Sequence, residues 1–380
     1  MSMAETITIP GFVDLHVHLR EPSNNNAETI ESGTRAAMLG GFVVVCDMPN
    51  NPGQPTWTEE RVEEKYSIIR HSAHIPVGIY SGSQPESDNI GELEKMAKRT
   101  IGLKLYGAPT TGNERDYEAE DFRPIVEEWH RVVPDKPVML HAGQENLEDM
   151  IDLVAGEAGQ HLHVCHVNNT SQVVLVNKAK AADLPVTCGV CPHHLFKTSH
   201  DVQTEGWEAR MQPPLAHQDE AEALFDKLVR GEIDVIETDH APHSLEAKEK
   251  AEDENPDGIH DKDHTTCFGV PGIEFAAPLM FYQVKRGNIS MERVIEVMST
   301  KPAQIIGLRQ GLNTDVAWNM ERYRITGDEM ALSGSGWLPY LGKWAVGRVG
   351  TMRIDAKILV RNGRPAAQVS QVFMRNKPLS

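Results

Sequence analysis

Eight short apolar runs, spread over the first 242 residues, limit what this chain can fold into more than any other feature. They are "GFVDLHVHL" (11–19), "GFVVVCDMP" (41–49), "HIPVGIYSG" (74–82), "IGLKLYG" (101–107), "PVMLHAG" (137–143), "HLHVCHVN" (161–168), "PVTCGVCPH" (185–193) and "IDVIETDHAP" (233–242). Each is rich in β-branched or aliphatic residues and bounded by Gly, Pro or Asn, as strands are. Helical periodicity occupies segments between them, among them "AETIESGTRAAMLG", "TEERVEEKYSIIRHSA", "YEAEDFRPIVEEWHRVV", "NLEDMIDLVAGEAG", "SQVVLVNKAKAAD" and "DEAEALFDKLVRG". Strands alternating with helices imply a parallel sheet with right-handed crossovers. The economical closed form is an α/β fold, a (β/α)8 TIM barrel. The barrel is expected over residues 11–310. Residues 1–10 and 311–380 are expected to form a small β-rich appendage, because "GRVGTMRI" and "KILVRNGRP" read as strands. The charged stretch 244–269 reads as a long exposed loop, and 272–309 as helical.

Composition narrows the function. The net charge is -18, which argues against nucleic acid or an anionic membrane as the main partner. It leaves room for a small anionic substrate at a locally positive site. No run of about 18 apolar residues suggests a membrane span. The N-terminal segment lacks the basic and apolar regions of a secretory signal. The five cysteines, Cys46, Cys165, Cys188, Cys191 and Cys267, are sparse and odd in number, so reduced thiols in the cytoplasm are expected. Cys188 and Cys191 form a CxxC without a second pair, and are read as buried strand residues.

In a (β/α)8 barrel the active site lies at the C-terminal strand ends. The first run ends in His16 and His18, which point to one face and can share a metal. The fourth carries Lys104, the fifth ends in His141, the sixth in His166 and the eighth in Asp239. His161 and His163 fall earlier in their run and are expected to pack. His240 faces away from Asp239. Imidazoles, a carboxylate and a lysine without a thiolate suit zinc, or another divalent first-row ion, in a hydrolytic site. Asp239 can also serve as general base.

At these motifs the sequence resembles the amidohydrolase superfamily and, within it, the dihydroorotases. The resemblance covers about residues 11–310 through "DLHVHLREP", "DMPN", "GLKLYG", "LHAGQ", "CHV", "CPHHL" and "TDHAPH", in the family's order. It implies a TIM barrel of the metal-dependent hydrolase type holding two Zn2+ ions. By the resemblance, His16, His18, Lys104 and Asp239 hold the more buried ion, and Lys104, His141 and His166 the more exposed one. Lys104 would be N-carboxylated and would bridge both ions together with a hydroxide, the nucleophile. The implied activity is the reversible cyclisation of N-carbamoyl-L-aspartate to L-dihydroorotate in pyrimidine biosynthesis, with Asp239 as general acid and base. Arg20, Asn50 and His243 would read the substrate carboxylate.

Thr110 and Thr111 are candidates for a loop closing over the substrate. Family members often have "NPPLR" after the seventh strand; here Gln212 stands for the Asn and Ala216 for the Arg. Gln212 still offers an amide to substrate, from a longer stem. Alternatives are another cyclic amidase, of the allantoinase or dihydropyrimidinase type, and a non-catalytic dihydroorotase-like subunit. A homo-oligomer is compatible with the sequence.

Overall fold

The computed structural model describes residues 5–23, 27–110, 115–255, 267–308, 313–327, 332–355, 357–366 and 372–373. All eight apolar runs form strands: β2 (Phe12–Val17), β3 (Phe42–Asp47), β4 (Val77–Gly82), β5 (Gly102–Tyr106), β6 (Val138–His141), β7 (Leu162–Val164), β8 (Val186–Val190) and β9 (Val235–Ile236). They are hydrogen-bonded in sequence order, and every adjacent pair is parallel. Nearly all of their residues are buried. Such strands are covered on both faces, which is why the runs read as continuous rather than alternating.

The barrel is nearly closed, and its seam lies between β9 and β2. Val17 and His240 form a parallel bridge, and the His18 amide donates to His240 O at 2.8 Å. Below that point Thr238 N and Oγ1 donate to the Asp14 carboxylate at 3.1 and 2.6 Å. The helices outside the barrel start where short polar side chains can cap them. Thr29, Thr58 and Asn169 accept the amides of Ser32, Arg61 and Gln172. Helix Arg123–Val132 turns Ile125, Val126 and Trp129 inward and leaves its charges outside.

A second, five-stranded antiparallel sheet contains β1 (Thr6–Ile9), β10 (Thr314–Arg324), β11 (Trp344–Ile354), β12 (Lys357–Arg361) and β13 (Arg364–Pro365), in the order β1-β10-β11-β12-β13. β10 is long and mostly polar, so no apolar run announces it. Its Trp318 is the anchor, fully buried against Phe281 at 4.9 Å and Phe12 at 6.1 Å between ring centres. The indole sits so close to Gly41 that a Cβ there would lie 2.2 Å from it; Gly41 also has φ +89°. The last short strand, β14 (Val372–Phe373), pairs with β4 of the barrel instead of joining this sheet.

One expectation fails outright. The stretch after β9 does not begin as an exposed loop: Leu245–Glu254 is a helix capped by Ser244. Lys248 holds it down. Its buried ammonium donates to the carbonyls of Trp207 at 2.7 Å and Cys267 at 2.8 Å. The charged composition concealed a helix pinned by one inward lysine.

Trp318→Ala should destabilise the protein by about 3–5 kcal/mol, because it empties a packed aromatic site. Chemical denaturation would measure this; a loss below about 1 kcal/mol would mean that the two sheets dock by other contacts.

Candidate active site

Three residues leave their strands with left-handed backbone, Arg20 (φ 62°), His166 (φ 38°) and Asp239 (φ 43°). Non-glycine residues seldom adopt this conformation, and where they do it often marks a functional site. Each strain has a visible support. Asp47 Oδ1 accepts the Leu19 amide at 2.8 Å, just before Arg20, and Asp47 is itself paired with fully buried Lys65. Glu237 Oε1 accepts the His166 amide at 2.6 Å. His240, directly after Asp239, is held at Nε2 by Glu28 Oε2 at 3.0 Å.

A polar pocket opens at this end of the barrel. His16, His18, Lys104, His141, His166 and Asp239 all line it. His16 Nε2 and His18 Nε2 are 3.3 Å apart, and each faces Asp239 Oδ1, at 3.3 and 3.0 Å. His141 Nδ1 and His166 Nε2 are 2.9 Å apart. Lys104 Nζ is buried, 3.3 Å from Cys165 Sγ and 5.3 Å from the Tyr106 ring centre. Among the described residues it has no carboxylate partner.

Burial, reinforced by Lys104, pushes His16 well below the ordinary imidazole range and His141 down to about 3. His166 is driven down by burial and by His141. Burial would raise the Asp239 carboxyl, but His16 and His18 outweigh it and hold the group well below the usual carboxylate range. Neutral imidazoles with converging nitrogens, beside an ionised carboxylate, are the donor set a divalent ion requires. Facing lone pairs at 2.9–3.3 Å repel unless a proton or a cation lies between them. His16, His18 and Asp239 alone bring three ligand atoms within 4.8 Å of one another.

The remaining predicted residues fall into three groups. Arg20, Asn50, Thr110 and Gln212 line the cavity wall. His243 does not: its Nε2 donates to Phe268 O at 3.0 Å and lies 3.2 Å from Arg20 Nη2, so the ring packs beside the guanidinium without accepting from it. Thr111 lies outside the described residues. The Arg20 guanidinium also meets Pro242 O at 3.4 Å, and is paired with neither Glu21 nor Glu31. His163 packs as expected, bonded to Thr187 Oγ1 and Glu237 Oε2. His161 also bonds Thr187 Oγ1, at 3.0 Å.

The amidohydrolase family model matches residues 7–312. The chain belongs to the amidohydrolase family. Its sequence relatives include the dihydroorotase of Staphylococcus epidermidis, 35% identical over 326 residues, which cover 80% of this chain and 74% of that one. The dihydroorotase of Bacillus anthracis is 33% identical over 80% of this chain and 73% of its own. The multifunctional protein CAD of Squalus acanthias is 30% identical over 96% of this chain, but that match is only 15% of the longer protein. Among solved structures, the L-hydantoinase (dihydropyrimidinase) of Arthrobacter aurescens superposes with a TM-score of 0.83 at 22% identity, covering 96% of this chain and 87% of that one. At that identity the likeness bears on the fold alone. As an amidohydrolase, the chain is a hydrolase of a metal-dependent family.

Several residues of this amidohydrolase site escaped the sequence reading. Asp14, Asp47 and Glu237 left a signal, an acid inside an apolar run. Glu28, Lys65, Phe268 and Gly269 left none, because they reach the site only through the fold. Glu28 collects His240, Ser32, Ser333 Oγ at 2.5 Å and Gly334 N at 2.9 Å. It thereby ties the rim of the barrel to the segment that follows β10.

Lys65→Met leaves Asp47 as an uncompensated buried charge and should cost about 3–5 kcal/mol in denaturant unfolding. Lys65→Met/Asp47→Asn should recover part of that loss; a single variant as stable as wild type would show that the pair carries nothing. The site also predicts a pH effect in metal-free protein. His141 protonates near 6.5 when unfolded and at about 3 when folded, so its contribution makes stability rise with pH across that interval. Ring NMR should show His141 neutral from pH 5 to 8, and a titration step near 6.5 would contradict the burial argument.

Proposed function

We propose that this protein is a dihydroorotase, which interconverts N-carbamoyl-L-aspartate and L-dihydroorotate in pyrimidine biosynthesis. The observation that carries the reading is Arg20. A buried guanidinium, without a carboxylate partner among the described residues, stands in the wall of a cavity whose floor holds six metal-capable or basic side chains. An arginine fork matches a substrate carboxylate. The similarity to dihydroorotases over 80% of the chain points the same way.

In this reading His16, His18, Lys104 and Asp239 would hold one zinc ion, and Lys104, His141 and His166 would hold the other. Divalent ions there supply Lewis acidity and an activated water at neutral pH. Lys104 carries carbon dioxide as a carbamate, which turns a buried cation without a counter-charge into an anionic ligand. Asp239 takes the proton released as the nucleophile adds to the ring amide carbon. It gives that proton to the ring nitrogen as the C–N bond breaks, and the reverse sequence closes the ring. Arg20 holds the carboxylate, with His243 packed beside the guanidinium. Asn50, Thr110 and Gln212 offer polar groups to the rest of the substrate, and Thr111 is proposed as Thr110's partner in a covering loop.

The same reading takes residues 11–310 as the barrel and residues 1–10 with 311–380 as the appendage. The shared sheet of β1 and β10–β13 supports this division, while β14 departs from it. Among the described residues no helix is long and apolar enough to cross a membrane. A cytoplasmic enzyme acting on a small anion, without nucleic acid or membrane partners, follows from the proposed activity and the charge.

The test is ring opening of L-dihydroorotate by zinc-loaded protein. Arg20→Ala should lower kcat/KM by about 10²- to 10³-fold and leave bound metal unchanged. Turnover of dihydrouracil or hydantoin without turnover of L-dihydroorotate would move the assignment to another cyclic amidase. Bound zinc with no turnover of any cyclic amide would favour a non-catalytic subunit.

A further inference from the structure

A second cluster of metal-capable side chains lies just past β8, on the short helix Pro192–Phe196 and its N-cap. Cys191, His193 and His194 are all buried, and one ligand atom from each lies within 4.8 Å of the other two. None of the three lines the cavity or belongs to the cavity-floor set. The other half of the CxxC takes no part: Cys188 Sγ points to Glu232 O, and its amide donates to Asp234.

The hydrogen bonding around the two rings is the informative part. His194 Nε2 is 3.1 Å from Pro213 O. A carbonyl only accepts, so Nε2 carries the hydrogen and Nδ1 presents a bare lone pair. That Nδ1 is buried without a partner. A histidine metal ligand is prepared in just this way, with its tautomer set by a backbone carbonyl on the far nitrogen. The His193 ring is only 1% solvent-accessible, and among the described residues neither of its nitrogens has a hydrogen-bond partner. Leaving a buried polar group unmet costs about 1–3 kcal/mol, and such orphans call for a missing water or ion.

We propose that Cys191, His193 and His194 form a second metal site, taking a zinc-like divalent cation through one thiolate and two neutral imidazoles. Thiolate with imidazole suits a borderline-soft ion. Metal uptake forms the sulfur–metal bond and releases the thiol proton to solvent. The ion joins the end of β8, through His194 and Pro213, to the segment that carries Gln212 into the cavity wall. Its role is to fix that wall.

Cobalt(II) substitution of the full-length protein tests this without reference to activity. A thiolate-to-cobalt charge-transfer band in the near ultraviolet reports a sulfur ligand; Cys165, whose ligand atom lies within 4.8 Å of those of His16 and Glu237, is the other thiol to be told apart from Cys191. Wild type should show the band. Cys191→Ser should lose it together with about one cobalt equivalent per chain, and Cys165→Ser should keep it. His193→Gln, which retains the thiol, should lose the same equivalent and guards against misfolding of the cysteine variant. A cobalt-loaded wild type without the band would overturn the proposal in favour of a buried water. Loss of the band in Cys165→Ser but not in Cys191→Ser would overturn it in favour of the thiol beside Lys104.

Discussion

The site depends on one seam. β9 is only two residues long, so few backbone hydrogen bonds are available to close the barrel. Closure rests instead on the Asp14–Thr238 contacts, the Val17–His240 bridge and the bond from His18 N to His240 O. These bring into register residues as much as 224 positions apart in the chain. Because they do, His18 and Asp239, 221 residues apart in sequence, stand 3.0 Å from each other. A slip of one residue at the seam would turn Asp239 out of the cavity.

Around that seam lies a layer of buried acids whose role is mechanical. Asp14, Glu28, Asp47 and Glu237 each accept hydrogen bonds from backbone or side-chain donors close to a cavity residue. They hold the unfavourable left-handed geometry of Arg20, His166 and Asp239, which aims those side chains inward. Burying four acids is expensive unless each is paired or hydrogen-bonded, and each of these is. The barrel accepts a polar interior near its mouth because the apolar interior beneath it is extensive.

Much of the architecture was legible. The strands announced themselves as apolar runs, since a parallel sheet is covered on both faces. His16 and His18 were legible as a pair because strand periodicity puts i and i+2 on one face. Other features were not. β10 has no apolar pattern, as only one of its faces is covered and a single tryptophan does most of the anchoring. The helix Leu245–Glu254 looked like solvent-exposed charge because its one inward residue, Lys248, is itself a lysine. His243 was legible only through the family resemblance, and the fold alone sets its Nε2 between Arg20 and the Phe268 carbonyl.

The eight barrel strands, their order and the chemical inventory at their ends are legible in the amino-acid sequence. Local periodicity and residue type are properties of a few neighbouring positions, so they survive without a fold. Only the tertiary structure decided which of those residues meet. The convergence of His16, His18, His141, His166, Lys104 and Asp239, the pinning of Arg20 by Asp47 and Lys65, and the burial of the His193 ring all arise from contacts made across the nearly closed barrel or between its loops. Such contacts join residues tens to hundreds of positions apart, and no local pattern encodes them.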